Sequence, residues 1–461
     1  MKISAQCRRY FADDAGATYI PVGLNICFHR CPPDATDDAT HDRETLEWYG
    51  RMFRDFSANG GNFTRLWLGN RFFDVMPDEV GKFSARATEN LRAVIRLAER
   101  HGIRIKLTME HFRFIKRREG KRQFEKWSAA AWEIFNKPIF APYAATMDEY
   151  LDSPICRQAY LDKARYMAAQ GFGDSPAVAA IELWNEINCI GTVYDHGKVA
   201  SWSEYMAGRL QGIFPRQLIV QNIGSFSEID GYRIYDYLDT MAQNAFLQVH
   251  RYLDPGAPLD VCHAPADVLA ADAIRHLSHF HHQTPMILAE CGAVEACHAG
   301  PSKLYDADAE GTLLHDMLFA PFFAGAAGCG QFWHWDSYVE KHRLWHHFKR
   351  FANAIAGIDP ADEAFSPFYT ETRRLRLHGL RGKRHTLIWC RDKRNGWREE
   401  LSQGIAPELL DCERLPRLYY GDSPMECYLP WEDRHACMTS GDDGWWTLPP
   451  FRRSIVLRFQ H

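Results

Sequence analysis

The sequence predicts an α/β protein: a (β/α)8 TIM barrel over residues 1–360, followed by a small antiparallel β-sandwich over residues 361–461. Three observations lead to this prediction. Eight short apolar runs are typical of strands, most of them are separated by segments with helical 3.6-residue periodicity, and this alternation stops after Ile358-Asp359-Pro360. Alternating βα units imply a parallel sheet, and eight of them imply a closed barrel.

The predicted elements of the barrel follow one another along the chain. Residues 9–26 form a hairpin that turns at Asp13-Asp14-Ala15-Gly16 and leads into the first strand. The eight strands begin near residues 21, 62, 103, 178, 218, 246, 285 and 330. Helices are predicted over Glu44–Asn59, Asn90–His101, Ser153–Gln170, Ser201–Ile213, Ala266–His282, Ala307–Phe323 and His342–Ile355. A long insertion over residues 110–150 follows the third strand, and loops in that position lie at the C-terminal face of a barrel.

The last part of the chain has the pattern of short antiparallel strands. Turn signals such as Asn395-Gly396 and Ser440-Gly441-Asp442 separate the apolar runs. The predicted strands are Leu375–Leu377, Thr386–Cys390, Pro416–Tyr420, Trp445–Leu448 and Ser454–Phe459. This arrangement favours a β-sandwich.

Composition excludes several classes of protein. Lys and Arg number 54 and Asp and Glu 59, and the resulting net charge of −5 excludes a dominant basic surface for nucleic acid. No stretch reaches the ~18 apolar residues of a membrane helix. The 13 cysteines contain no C-x-x-C pair, which argues against a zinc ribbon and a disulfide scaffold. The N-terminus lacks the apolar core of a signal peptide, which favours a cytoplasmic protein, or a secreted or periplasmic one if a signal has been trimmed.

Charged and aromatic residues are concentrated at the C-terminal ends of the predicted strands, where barrels of this class carry their active sites. Arg65 lies on the second strand, Glu186 follows the fourth, and Glu290 lies on the seventh. Two carboxyl groups at one mouth are the minimal apparatus for hydrolysing a glycosidic bond, because one donates a proton while the other attacks the anomeric carbon. Arg65 and Tyr252 are expected to keep Glu290 ionised, whereas nearby negative charge and partial burial favour a protonated Glu186.

This pattern resembles that of clan A glycoside hydrolases, most of all the cellulase-like family 5, over roughly residues 16–358. The eight matching residues, in the order of the family, are Arg65, His111, Asn185, Glu186, His250, Tyr252, Glu290 and Trp333. The resemblance implies that Glu186 is the acid/base and Glu290 the nucleophile. It also implies that Asn185 binds the 2-hydroxyl group of the sugar and that Trp333 forms the floor of subsite −1. The insertion after the third strand and Cys291 depart from the pattern of the family.

Other residues near these positions have two interpretations. Trp335 and Asp336 are predicted to contact the sugar, although Trp335 could equally belong to the core. Glu182 lies within the fourth strand, four residues before Glu186, and is expected to be a packing partner inside the barrel.

The predicted function is that of a retaining glycoside hydrolase acting on β-linked glycosides or oligosaccharides. Exo action on a β-mannoside or β-glucoside ranks first, because long loops can close a cleft into a pocket. An endo-acting β-glycanase, resembling a mannanase or glucanase, is the alternative within this class, and a non-catalytic carbohydrate-binding barrel is the alternative outside it. The expected partner is a carbohydrate, without a metal, a cofactor, nucleic acid or a membrane, and the sequence carries no signal for an oligomeric state.

Overall fold

The structure, a computed structural model, describes most of the chain. The described residues are 1–29, 37–111, 139–189, 195–224, 241, 243–280, 283–417 and 426–461. Most of the predicted insertion over residues 110–150 therefore lies outside the described residues, as do residues 281–282 of a predicted helix and 418–420 of a predicted strand. Within the described ranges, no helix is both long and apolar enough to cross a membrane.

The chain divides into two compact units. The first consists of Met1–Lys2, Gly23–His250 and Cys297–Ala299, and the second of Ile3–Val22, Arg251–Ala296 and Gly300–His461. The domain boundary predicted at residues 360 and 361 is a different division of the chain and stays a prediction.

The N-terminal segment contains the predicted hairpin. The short strands here are β1 (Lys2–Ile3), β2 (Phe11–Ala12) and β3 (Thr18–Tyr19). β2 and β3 pair antiparallel, with Phe11 opposite Tyr19. Gly16 takes a φ of +94° in the connecting turn, a conformation that glycine adopts without steric cost.

The core of the first unit is a parallel sheet whose described strands lie side by side in chain order. They are β4 (Gly23–Leu24), β5 (Phe63–Trp67), β6 (Arg104–Glu110), β7 (Val178–Trp184) and β8 (Leu218–Val220). The register places Phe63 beside Arg104 and Glu110 beside Trp184. Almost every residue of β5, β6 and β7 is buried, as expected for parallel strands covered on both faces. The first five strands of the predicted barrel are thus confirmed.

Helices connect these strands, as the periodicity predicts. They are α1 (Asp38–Ala58), α2 (Ala85–Arg100), α3 (Met147–Asp152), α4 (Pro154–Ala169) and α5 (His196–Ile213). The hydroxyl group of Ser84 accepts a hydrogen bond from the N–H of Ala87 and caps the N-terminus of α2. Gly102 follows the same helix with a φ of +65°, which explains the predicted stop.

The second unit continues the alternation of strands and helices. Its elements up to residue 363 are the end of β9 (Leu247–Leu253), α6 (Ala266–Leu277), β10 (Met286–Ala293), α7 (Leu304–Ala307), α8 (Thr312–Phe323), α9 (His346–Ala354) and α10 (Pro360–Glu363). The eighth strand, predicted near residue 330, is present as one parallel bridge between Phe332 and Cys291. The N–H of Trp333 donates to the carbonyl oxygen of Cys291 at 2.8 Å. This segment therefore runs beside β10 in the predicted direction.

Two antiparallel sheets form the C-terminal part of the second unit. Their strands are β11 (Ser366–Glu371), β12 (Leu375–Arg381), β13 (His385–Asp392), β14 (Arg414–Pro416), β15 (Glu426–Leu429), β16 (Arg434–Cys437), β17 (Thr439–Ser440), β18 (Trp445–Thr447) and β19 (Ser454–Gln460). The larger sheet has the order β11-β12-β13-β19-β15-β16 and the smaller one β14-β18-β17. Leu377 and Ile388 of the larger sheet and Leu415 and Trp446 of the smaller one belong to the same buried apolar cluster. This shared core confirms the predicted β-sandwich.

Buried ion pairs join the larger sheet to two helices of the second unit. Arg376 in β12 donates to both carboxylate oxygens of Asp267 in α6, at 2.6 and 2.8 Å. Arg391 in β13 donates to both carboxylate oxygens of Asp316 in α8, at 2.7 and 3.1 Å. All four side chains are less than 10 % exposed. Because water has little access to these pairs, each arginine depends on its carboxylate for the compensation of its charge.

We expect Arg391→Met to lower the free energy of unfolding by about 3–5 kcal/mol, because it leaves the buried carboxylate of Asp316 without its cation. Urea denaturation followed by tryptophan fluorescence measures this change. The matched control is Arg384→Met, whose guanidinium pairs with Asp362 but is 56 % exposed and screened by water. Equal stabilities of the two variants would contradict a structural role for the buried pair.

Candidate active site

Glu186 is the second residue after β7 and has an unusual backbone conformation. Its φ of +48° lies in the left-handed region, which residues with a side chain rarely adopt. The N–H of Glu186 donates to Oδ1 of Asn222, which follows β8, at 2.8 Å. Backbone strain of this kind persists where surrounding contacts enforce it, and it is common at functional sites.

The side chain of Glu186 is held by a histidine. Nδ1 of His250 in β9 lies 2.7 Å from Oε1 of Glu186, and Nε2 lies 3.3 Å from Nδ2 of Asn222. The His250 side chain is fully buried, whereas that of Glu186 is 12 % exposed. Glu186 is thus fixed in position while its carboxyl group stays within reach of solvent.

Glu182, inside β7, is the centre of a buried polar network. Its carboxylate accepts hydrogen bonds from Lys106 Nζ at 2.7 Å, from Thr108 Oγ1 at 2.6 Å and from Asn222 Nδ2 at 2.6 Å. Nη1 of Arg65 lies 3.6 Å away. Burial would raise the pKa of Glu182, but the charges of Lys106 and Arg65 together with the hydrogen bonds lower it to about 2. Glu182 is therefore an ionised, fully paired carboxylate, in agreement with its predicted packing role.

Arg65 and His111 lie against the same aromatic ring. The Arg65 guanidinium carbon is 5.3 Å from the ring centroid of Trp67, and the ring centroids of Trp67 and His111 are 4.4 Å apart. A Cβ atom added to Gly69 would approach the His111 ring to 2.9 Å, so a side chain at this position would displace that ring. The structure thus brings together two of the predicted substrate-binding residues and buries both.

Asn185 is buried beside the end of β6. Its N–H donates to the carbonyl oxygen of Glu110 at 2.8 Å and extends the parallel pairing of β7 with β6. Its side-chain Oδ1 is buried and has no hydrogen-bond partner within the part of the chain that the structure describes. Buried amide oxygens are usually paired, so Oδ1 of Asn185 is an exception, and its contact with a sugar hydroxyl group stays a prediction.

In the second unit, Glu290 lies near the end of β10 and is paired with a tyrosine. The hydroxyl group of Tyr252, near the end of β9, donates to Oε2 of Glu290 at 2.6 Å. Glu290 is 4 % exposed. This hydrogen bond fixes the position of the Glu290 carboxyl group. Burial raises the pKa of the next residue, Cys291, well above its usual range, so that its thiol stays protonated.

The aromatic residues after the eighth predicted strand differ in their exposure. Trp333 is partly buried, and its ring meets that of the fully buried Trp335 edge-on at 5.0 Å. Burial of Trp335 agrees with the core interpretation of this residue. Asp336 is partly exposed and accepts a hydrogen bond from the N–H of Ser337 at 2.7 Å.

Sequence reasoning missed two residues of the site. Asn222 contacts Glu186, His250 and Glu182 at once, and Lys106 neutralises Glu182 from β6. A signal for Lys106 was present, because a lysine within the apolar strand Arg104–Glu110 needs a buried partner. Asn222 carries no comparable signal, since its contacts lie in β7, just after β7 and in β9, between 28 and 40 positions away along the chain.

Two comparisons of the sequence itself found no match. No protein-family model matches the chain, and no curated protein matches it significantly. Solved structures do match. A glycoside hydrolase family 5 protein from Bacteroides vulgatus superimposes with a TM-score of 0.58 at 12% identity, covering 99% of this chain and 91% of that one.

Two further structures carry more specific names. The endo-β-1,4-mannanase from Thermotoga petrophila matches with a TM-score of 0.51 at 13% identity, covering 95% of this chain and 97% of that one. The exo-β-1,4-mannosidase from Opitutaceae bacterium strain TAV5 matches with a TM-score of 0.50 at 18% identity over 75% of this chain. This chain spans 58% of the length of that mannosidase. At these identities the likeness concerns the fold, and it confirms at that level the resemblance found in the sequence: the chain has the fold of family 5 glycoside hydrolases.

Proposed function

We propose that this chain is a retaining glycoside hydrolase that cleaves β-linked glycosides, with Glu186 as acid/base and Glu290 as nucleophile. The observation that carries the proposal is that both carboxyl groups are hydrogen-bonded to side chains of the same strand, β9. His250 holds Glu186 and Tyr252 holds Glu290, and the two partners lie two residues apart in β9. Because alternate residues of a strand face the same side, the proposal places both carboxyl groups at one site, at the mouth of a closed (β/α)8 barrel.

The proposed reaction is a double displacement. In the first step the Glu290 carboxylate attacks the anomeric carbon, while Glu186 gives its proton to the departing glycosidic oxygen. In the second step Glu186, now ionised, takes a proton from water as that water attacks the anomeric carbon and releases Glu290. Two inversions at the anomeric carbon give overall retention of configuration, for which the carboxyl groups would stand about 5–5.5 Å apart.

The proposed substrate class is a β-mannoside, with a β-glucoside ranked second. The names of the Opitutaceae and Thermotoga petrophila proteins, a mannosidase and a mannanase, support this order. Exo action is proposed first, as the sequence suggests, and endo action on a β-glycan is the alternative that the substrate panel separates.

The test is hydrolysis of nitrophenyl β-glycosides and β-linked oligosaccharides by the wild type, Glu186→Ala and Glu290→Ala. We expect release from one monosaccharide glycoside, lost by about 10^4-fold or more in Glu290→Ala because the nucleophile is absent. Glu204→Ala removes an exposed carboxylate of α5 and serves as the control. Cleavage confined to longer oligosaccharides would identify an endo enzyme, and binding without cleavage, measured by calorimetry, would identify a carbohydrate-binding protein.

Azide separates the roles of the two carboxyl groups. With an activated aryl glycoside and Glu186→Ala, azide attacks the glycosyl-enzyme and should yield the β-glycosyl azide. With Glu290→Ala, azide replaces the missing nucleophile and should yield the α-glycosyl azide. NMR identifies the anomer that each variant forms. If Glu186→Ala gave the α-azide and Glu290→Ala the β-azide, the roles of the two carboxyl groups would be the reverse of those proposed.

We expect Tyr252→Phe to lower kcat/KM by about 10- to 100-fold, because a hydrogen bond to a charged group contributes about 1.5–3 kcal/mol. Tyr205→Phe, which removes the hydroxyl group of an exposed tyrosine of α5, is the matched control. Steady-state kinetics on the best aryl glycoside measure both. Unchanged activity of Tyr252→Phe would contradict a role for this hydroxyl group at the nucleophile.

A further inference from the structure

The amide of Asn222 can take one orientation only. Its Oδ1 faces the N–H of Glu186 at 2.8 Å, and a backbone N–H can only donate. Its other terminal atom lies 2.6 Å from Oε1 of Glu182, whose carboxylate is ionised and can only accept. That atom must therefore be the nitrogen, so the two neighbours determine which end of the amide is which.

The orientation of Asn222 in turn determines the tautomer of His250. Nδ2 of Asn222 has two hydrogens, of which Glu182 takes one, and Nε2 of His250 lies 3.3 Å away. An N–H facing Nε2 requires Nε2 to accept. A neutral imidazole that accepts at Nε2 carries its proton on Nδ1, and that proton then points at Oε1 of Glu186, 2.7 Å away.

The charges around this group also matter for its protonation. Lys106 of β6 and Arg65 of β5 face Glu182 of β7, so two buried cations surround one buried anion. The neutral amide of Gln248, two residues before His250 in β9, accepts a hydrogen bond from Lys106. Because Lys106 and Arg65 carry one positive charge more than Glu182 neutralises, they oppose the imidazolium form of His250. In the proposed site, the negative charge of Glu290 would favour that form. The N–H of Asn222 that faces Nε2 also opposes the imidazolium form, because it leaves no acceptor for a proton on Nε2.

We propose that Asn222 is a positioning residue that holds His250 as the neutral Nδ1–H tautomer, so that Glu186 can keep the proton it donates. An imidazolium beside Glu186 would favour the carboxylate form and remove the general acid. A neutral imidazole orients the carboxyl group without that charge. Glu182 acts one step further away, because its carboxylate fixes the amide of Asn222. The catalytic consequence rests on the proposed function, whereas the tautomer does not.

The first experiment measures the tautomer without any turnover. Long-range 1H–15N correlation spectra of 15N-histidine-labelled protein distinguish Nδ1–H, Nε2–H and imidazolium forms, and His250→Gln identifies the signals of this residue. We expect the neutral Nδ1–H form throughout the range between pH 5.5 and 8. An Nε2–H tautomer, or an imidazolium within this range, would overturn the proposal.

The second experiment changes the atom that faces Nε2. Asn222→Asp still accepts from the N–H of Glu186 but places an oxygen against both the Glu182 carboxylate and Nε2 of His250. The added negative charge should draw a proton into this cluster, and we expect His250 to become an imidazolium. Asn188→Asp is the control, because Asn188 Oδ1 likewise accepts a backbone N–H, that of Gly224 at 2.6 Å, and the same charge is added nearby. Asn222→Ala, which removes the donor and adds no charge, should allow His250 to titrate in the same spectra.

The kinetic consequence is specific to acid catalysis. We expect Asn222→Asp to move the basic limb of the kcat/KM profile towards lower pH and to lower kcat by about 10- to 100-fold on substrates with poor leaving groups. Dinitrophenyl glycosides, whose leaving group needs no proton, should be affected little, as should KM. Equal losses on both kinds of leaving group would indicate a merely structural effect and contradict the proposal. A wild type that shows the Nδ1–H form but hydrolyses nothing would refute the proposed function and leave the tautomer assignment intact.

Discussion

The arrangement of the first unit depends on one buried carboxylate, that of Glu182. Removing an ion of this kind from water costs several kcal/mol, and the cost is offset only when every oxygen is paired. Lys106, Thr108 and Asn222 donate to it from β6 and from the end of β8, and Arg65 adds a second cation from β5. The Glu182 carboxylate thereby links β7 to β5, to β6 and to the end of β8. A shift of one of these partners would therefore disturb the hydrogen bonds of the others.

The strained backbone of Glu186 is a consequence of the same network. A residue with a side chain at a φ of +48° is less stable by an amount on the order of 1–3 kcal/mol than one in a common conformation. Asn222, already held by Glu182, accepts the N–H of Glu186 and thus stabilises the strained form. The direction of the Glu186 side chain therefore depends on a carboxylate four residues earlier in the chain.

In the second unit, buried charges form separate arginine–carboxylate pairs instead of one network around a single carboxylate. There the pairs Arg376–Asp267 and Arg391–Asp316 connect a β-sheet with helices, and each arginine binds its carboxylate through two hydrogen bonds. Two-point binding defines orientation as well as distance. Within the second unit, this attachment holds the larger sheet against α6 and α8, while the apolar cluster between the two antiparallel sheets forms the core of the sandwich.

The sequence by itself determined the alternation of strands and helices, the hairpin and the C-terminal sandwich, and it predicted the proposed pair of Glu186 and Glu290. These features depend on local periodicity, on turn residues and on a pattern of side chains at strand ends, all of which can be found by following the chain. Only the tertiary structure decided the role of Asn222, the pairing of Arg65 with Glu182 and the burial of Trp335. The reason is physical: a hydrogen bond between residues 36 or 40 positions apart depends on how separate strands align, and no local pattern encodes that alignment.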